Sequence, residues 1–91
     1  MIPNPKKTVR TKKRYHRIEI GISTWSPRET SVRNRYDDPK TGRFSPHGSS
    51  EIPIRDLEII VSAVAKHDHL KPAECARIIT ALADSITRQT S

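Results

Sequence analysis

The chain has few of the residues from which a large or covalently stapled core is built. Its 91 residues include four aromatic side chains, three glycines, one methionine and one cysteine. The single cysteine, Cys75, excludes an internal disulfide framework. No apolar run approaches the ~18 residues of a membrane helix. The basic start is not followed by an apolar stretch, so the pattern is not that of a secretory signal, and an intracellular location is expected. There is no glycine-rich phosphate loop and no nucleophile elbow. Asp37 and Asp38 are adjacent carboxylates but belong to a turn signal. No enzyme and no cofactor are therefore expected. His67, His69 and Cys75 supply three candidate metal ligands without the paired spacing of a zinc module. Cys75 also falls on an apolar helical stripe, where a buried thiol is the ordinary outcome. No metal is expected.

Acidic residues are also missing from one region. Residues 1–17 hold seven basic side chains (Lys6, Lys7, Arg10, Lys12, Lys13, Arg14 and Arg17) and no acid. The remaining residues, 18–91, hold ten basic and ten acidic side chains, so the whole net charge of +7 sits in the first 17 positions. A block of like charge repels itself, stays extended and is a common form of nucleic-acid arm. The plainer reading is a solubilising terminus. With Pro3 and Pro5 and no apolar period, residues 1–14 are expected to be a flexible arm, disordered when unbound.

Period-two alternation begins at Tyr15. Ile18, Ile20 and Ile22 point one way, and Arg17, Glu19, Gly21 and Ser23 the other, which is the pattern of a half-buried strand. Glu19 shares a side with Arg17 and reads as half of a surface pair. Trp25 ends this strand, and Ser26-Pro27 marks a turn. A second strand fits Thr30 to Tyr36, with Val32 and Tyr36 as its only apolar members. Asp37-Asp38-Pro39-Lys40-Thr41-Gly42 is a strong turn signal: Asp38 can bond the turn backbone and Gly42 accepts a positive φ. Arg43 and Phe44 are expected to start a returning strand. Ile52 and Ile54 give one more short alternation; Pro53 between them cannot donate to a ladder, so this strand is an edge or its proline faces solvent.

Helical spacing takes over at Leu57, Ile60, Val61 and Val64. Asp56 is a candidate N-cap, or the helix starts earlier with Pro53 at its first position; the later start is preferred. His67-Asp68-His69 reads as a break. A second helix is expected from Pro72, a good first residue, with Leu70 stapled onto Cys75. Cys75, Ile78, Ile79, Leu82 and Ile86 form its apolar stripe. The expected architecture is α+β. A small antiparallel sheet of three to four strands is followed by two helices, and a disordered basic arm precedes it. Residues 15–91 form one domain, with strands over 15–54 and helices over 55–88. At this size roughly 60% of the unfolded surface is buried, so a dimer or a bound ligand would add stability.

All four aromatics (Tyr15, Trp25, Tyr36 and Phe44) lie in the strand region, which also carries His16, Arg17, Arg28, Arg33, Arg35, Lys40 and Arg43. Aromatic rings offer a stacking face to any base, each stacked base being worth ~1–3 kcal/mol. Guanidinium groups pair with phosphate. A ring in a small domain more often simply completes the core, and an arginine set is often a solvated face. Combined with the arm, they point to nucleic-acid binding. Trp25, Tyr36 and Phe44 are the stacking candidates, and Arg17, Arg28, Arg33, Arg35 and Arg43 the phosphate candidates. A helix-turn-helix reading is weaker, because the second helix carries only Lys71, Arg77 and Arg88 against Glu74 and Asp84.

The stretch from Ile18 to Ala65 resembles the single-stranded-DNA-binding domain of the positive-cofactor-four transcriptional coactivators. Asp38-Pro39, Thr41-Gly42, Phe44, Pro46 and Gly48 match the family's acid-proline, glycine, apolar and proline-glycine series. Ile52 and Ile54 match its last short strand, and Ile59 falls near its large apolar helix position. Arg33 and Arg35 before Tyr36 are similar to its basic, aromatic-tipped strand. The chain departs from the family at Ser49 and Ser50, where basic residues are usual, at Pro53, and in its second helix. The resemblance implies a curved antiparallel sheet and a homodimer formed through the C-terminal helices. It also implies binding of unpaired DNA with little base specificity, in transcription, replication or recombination. RNA is not separated from DNA by these residues. The alternative is a protein-binding adaptor, such as a phage-type inhibitor or a small subunit of a larger ribonucleoprotein complex. There the arm would thread into a partner and a sheet edge would recruit a strand.

Overall fold

The computed structural model describes all residues, Met1–Ser91. The chain divides into two compact units, Met1–Leu57 and Glu58–Ser91. The first is an antiparallel sheet. Its strands are β1 (Ile2–Pro3), β2 (Val9–Arg10), β3 (His16–Ile22), β4 (Thr30–Tyr36) and β5 (Ser50–Pro53). The second holds two helices, α1 (Leu57–Lys66, whose first residue belongs to the sheet unit) and α2 (Pro72–Thr90). The α+β class is as expected. No helix is long and apolar enough to cross a membrane.

Strands β3 and β4 form where alternation was strongest. They pair over their full lengths, from His16↔Tyr36 to Ile22↔Thr30. This register puts Ile18, Ile20 and Ile22 on one face with Asn34, Val32 and Thr30. Arg17, Glu19 and Gly21 lie on the other, opposite Arg35, Arg33 and Ser31. Strand β5 adds Ile52 opposite Val32 on the apolar face and Glu51 opposite Arg33 on the charged one. β5 is an edge strand, which suits Pro53, a residue with no N–H to give to a further ladder.

The expected disordered arm is not found. β1 and β2 both pair with β3, through Ile2↔Ile22, Pro3↔Gly21, Val9↔Ile18 and Arg10↔Arg17. Between them the Asn4 N–H donates to the Ile20 carbonyl at 2.8 Å, and a 3₁₀ turn over Pro5–Lys7 links the two. The physical reason is the edge of β3. With β4 on one side, its other side would expose a row of unpaired backbone groups, and the first ten residues fill it. They raise the strand count from the expected three or four to five.

The turn after β4 follows its sequence signal. Asp38 Oδ1 accepts from the Lys40 N–H at 2.7 Å, and Gly42 has φ +72°. The return at Arg43–Phe44 is shorter than expected: only a single bridge, Asp37↔Phe44, forms. Ile54 leaves the sheet and opens a 3₁₀ turn ending at Asp56, so α1 begins at Leu57, the later of the two candidate starts. α1 ends as the sequence break suggested. Asp68 takes φ +58°, and the N–H groups of Asp68 and His69 return to the carbonyls of Ala65 and Val64. That is a Schellman termination with aspartate in the usual glycine place. α2 starts at Pro72, and Glu74 accepts from the Lys71 N–H at 2.9 Å.

No apolar side chain of the chain is fully buried. Ile18, Ile20, Val32 and Ile52 are half-buried, and the α2 stripe is open, with Ile79 66%, Leu82 57% and Ile86 63% exposed. The helices leave an apolar groove of about 330 Å³ within the second unit, lined by Val61, Leu70, Cys75, Ile78, Ile79 and Leu82.

Candidate nucleic-acid interface

The charged sheet face follows directly from strand register. A first row across β2, β3 and β4 reads Arg10, Arg17, Arg35; the next, across β3, β4 and β5, reads Glu19, Arg33, Glu51. Glu19 is only 3% exposed, and three guanidinium groups converge on it. Arg33 donates to Glu19 Oε1 from Nε at 2.9 Å and from Nη2 at 2.6 Å. Arg35 Nη1 lies 3.4 Å and Arg17 Nε 3.7 Å from Glu19 Oε2. Asp37 takes a second share of the charge, with Arg35 Nε at 2.9 Å and Arg17 Nη1 at 3.9 Å. The sequence reading of Glu19 as half of an exposed pair is thereby corrected: the carboxylate is the buried centre of the cluster.

Phe44 closes one end of this face. The Arg33 and Arg35 guanidinium carbons lie 4.5 and 5.0 Å from its ring centroid, a cation–π geometry. At the other end, a concavity of about 530 Å³ is lined by Pro3, Pro5, Thr8, Arg10, Arg17 and Glu19. Four arginines (Arg10, Arg17, Arg33, Arg35) share this face with three carboxylates, Glu19, Asp37 and Glu51, leaving one positive charge in excess. Glu51 is engaged separately, accepting from the Thr24 N–H at 2.9 Å, the Thr24 hydroxyl at 2.7 Å and the Ser31 hydroxyl at 2.8 Å. Desolvation works to raise its pKa. The Thr24 and Ser31 hydrogen bonds, with the Met1 ammonium 3.7 Å away, outweigh that and hold the carboxyl below its ordinary value.

The other candidates are dispersed. Tyr36 lies on the opposite sheet face from Phe44, where its ring stacks on His16 at 4.3 Å and 16°. Asn34 Oδ1 and the Thr11 hydroxyl hold the His16 ring nitrogens, and Lys13 Nζ lies 5.9 Å from the Tyr36 centroid. Trp25, beyond the end of β3, is 46% exposed, and its indole N–H donates to Glu29. Glu29 also pairs with Arg55. Lys6 and Lys7 sit in the 3₁₀ turn, and Lys12, Lys13 and Arg14 in the turn from β2 to β3, Arg14 over the Tyr15 ring. Arg28 and Arg43 are exposed loop residues. Five candidates, Arg10, Arg17, Arg33, Arg35 and Phe44, are thus gathered on one face. Trp25 and Tyr36 are not part of that face. Sequence reasoning placed His16 in the strand region without its stacking role, read Asp37 only as a turn residue, and missed the burial of Glu19. The one available signal was a glutamate alternating in phase with Arg17 on a strand followed by a second, arginine-bearing strand.

No protein-family model matches this chain, and no curated protein or solved structure matches it.

Proposed function

We propose that the protein binds single-stranded nucleic acid, DNA in preference to RNA, as a homodimeric and largely sequence-independent accessory factor in transcription, replication or recombination. The observation that carries this reading is the charged face: four arginines in register beside an exposed phenylalanine ring, with a surplus of positive charge. Guanidinium groups suit phosphate, and the ring suits a base. The resemblance of residues 18–65 to the positive-cofactor-four coactivators supports the same reading. The dimer is supported by the absence of any fully buried apolar side chain and by the α2 stripe. There Cys75, Ile79, Leu82 and Ile86 repeat at intervals of four, three and four residues, the seam spacing of paired helices.

The test is fluorescence anisotropy of the full chain with labelled oligo(dT), oligo(U) and a duplex, over a salt series. Tighter binding to oligo(dT) than to the duplex is expected, with affinity falling as salt rises. Equal affinity for both reduces the contact to generic charge. The open apolar surface also favours a second reading, a protein-binding adaptor. A partner retained from extract after nuclease digestion, together with no oligonucleotide binding, would select it.

A further inference from the structure

The charged face contains an arrangement that the fold alone does not balance. Arg10 and Arg17 are direct cross-strand partners, and Arg17 is in turn the partner of Arg35. Like charges directly opposite each other destabilise a sheet. Glu19 and Asp37 offset Arg17 and Arg35. Arg10 is exposed and lines, with Arg17, Glu19, Pro3, Pro5 and Thr8, one concavity of this face. Arg17 and Arg35 each have a carboxylate within ion-pair distance and Arg10 has none, so Arg10 is the unpaired member of the row.

We infer that Arg10, Arg17 and Arg35 form a phosphate-binding row, which takes successive phosphates of one nucleic-acid strand running across β2, β3 and β4 towards Phe44. This inference rests on the single-strand reading and adds to it a path and a direction. Two inter-strand spacings make the row roughly 10 Å long, enough for neighbouring phosphates. Glu19 and Asp37 are ion-paired with Arg17 and Arg35, so those guanidinium groups are oriented before a ligand arrives. Arg10 brings the charge that no carboxylate of the chain answers. The row also gives the folded arm a function: pairing of β2 with β3 is what brings Arg10 into line.

The experiment compares the full-length protein with Arg10→Gln and, as a control for loss of one charge elsewhere, Lys66→Gln on α1. Each is titrated with oligo(dT) and with inorganic polyphosphate over a salt series, and circular dichroism checks the fold. Arg10→Gln is expected to weaken oligo(dT) binding and lower the slope of log K against log salt by about 0.7, the share of one phosphate contact on a single strand. Lys66→Gln should leave both unchanged. Oligo(dT) binding that is the same in Arg10→Gln and the parent overturns the row and leaves the single-strand reading standing. Equal binding of polyphosphate and oligo(dT), lost alike in Arg10→Gln, keeps the row and overturns the nucleic-acid reading. Absence of binding to either polyanion overturns both.

Discussion

Glu19 shows how one residue can organise a charged surface. A carboxylate 3% exposed is costly to desolvate, and here three guanidinium groups answer it. Removing it leaves those groups facing one another with only Asp37 between them. Glu19→Ala should destabilise the sheet unit by about 3 kcal/mol, in line with the loss of one member of a buried ion pair. Urea unfolding followed through Trp25 fluorescence reads this directly, and an unchanged midpoint would contradict the anchoring role. Glu51 carries a different signature. Its carboxyl is held below the ordinary 4.5 in the folded chain, so the folded state favours the charged form. Its contribution is full above the ordinary value and is lost as pH falls through the lowered folded value. Glu51→Gln should therefore flatten the acid limb of the stability curve below pH 4.5. An acid limb of equal steepness in both proteins would remove Glu51 from the account.

At the scale of elements, the docked arm depends on Gly21. A Cβ at this position would overlap the Ile2 carbonyl and lie 2.7 Å from Pro3 Cα. The backbone of β1 can approach β3 this closely only because Gly21 has no side chain. Gly21→Ala should release β1, and the Asn4 amide, which donates to Ile20 at 2.8 Å, should lose its protection in hydrogen exchange. Protection equal to that of the parent chain would show that β1 shifts without detaching. This dependence also explains what could be read from sequence. β3, β4 and α2 are long enough to show a period; the limits of β4 and the start of α2 emerged as observed, while β3 stops at Ile22, short of the expected end at Trp25. β1 and β2 are two residues each and show none; they are ordered by the edge they cover, which exists only once β3 and β4 have paired. The charged face was half legible. Alternation alone puts Arg17 with Glu19, and Arg33 with Arg35, but only register brings the two pairs and Arg10 onto one surface. Tyr36 alternates in phase with Val32 and Asn34 and out of phase with Arg33 and Arg35, so the alternation itself already set it apart from the arginine face.

At the scale of the whole molecule, the chain leaves its apolar stripes uncovered. Ile79, Leu82 and Ile86 are each more than half exposed along one side of α2. If a second copy covers them, the protein sediments at twice its 10.3 kDa chain mass, and Leu82→Glu shifts it towards the monomer by placing a charge in the seam. Analytical ultracentrifugation of both proteins decides this. A parent chain that runs as a monomer at all concentrations would leave the stripe to a different partner.

The uncovered apolar layer also bears on turnover. If a second copy covers that layer, stability would rise with the protein's own abundance, by about 1.4 kcal/mol per mole of dimer for each tenfold increase in concentration. When scarce, the protein would be the more exposed to proteases; when plentiful, it would protect itself. Its lifetime in the cell would then depend on its copy number.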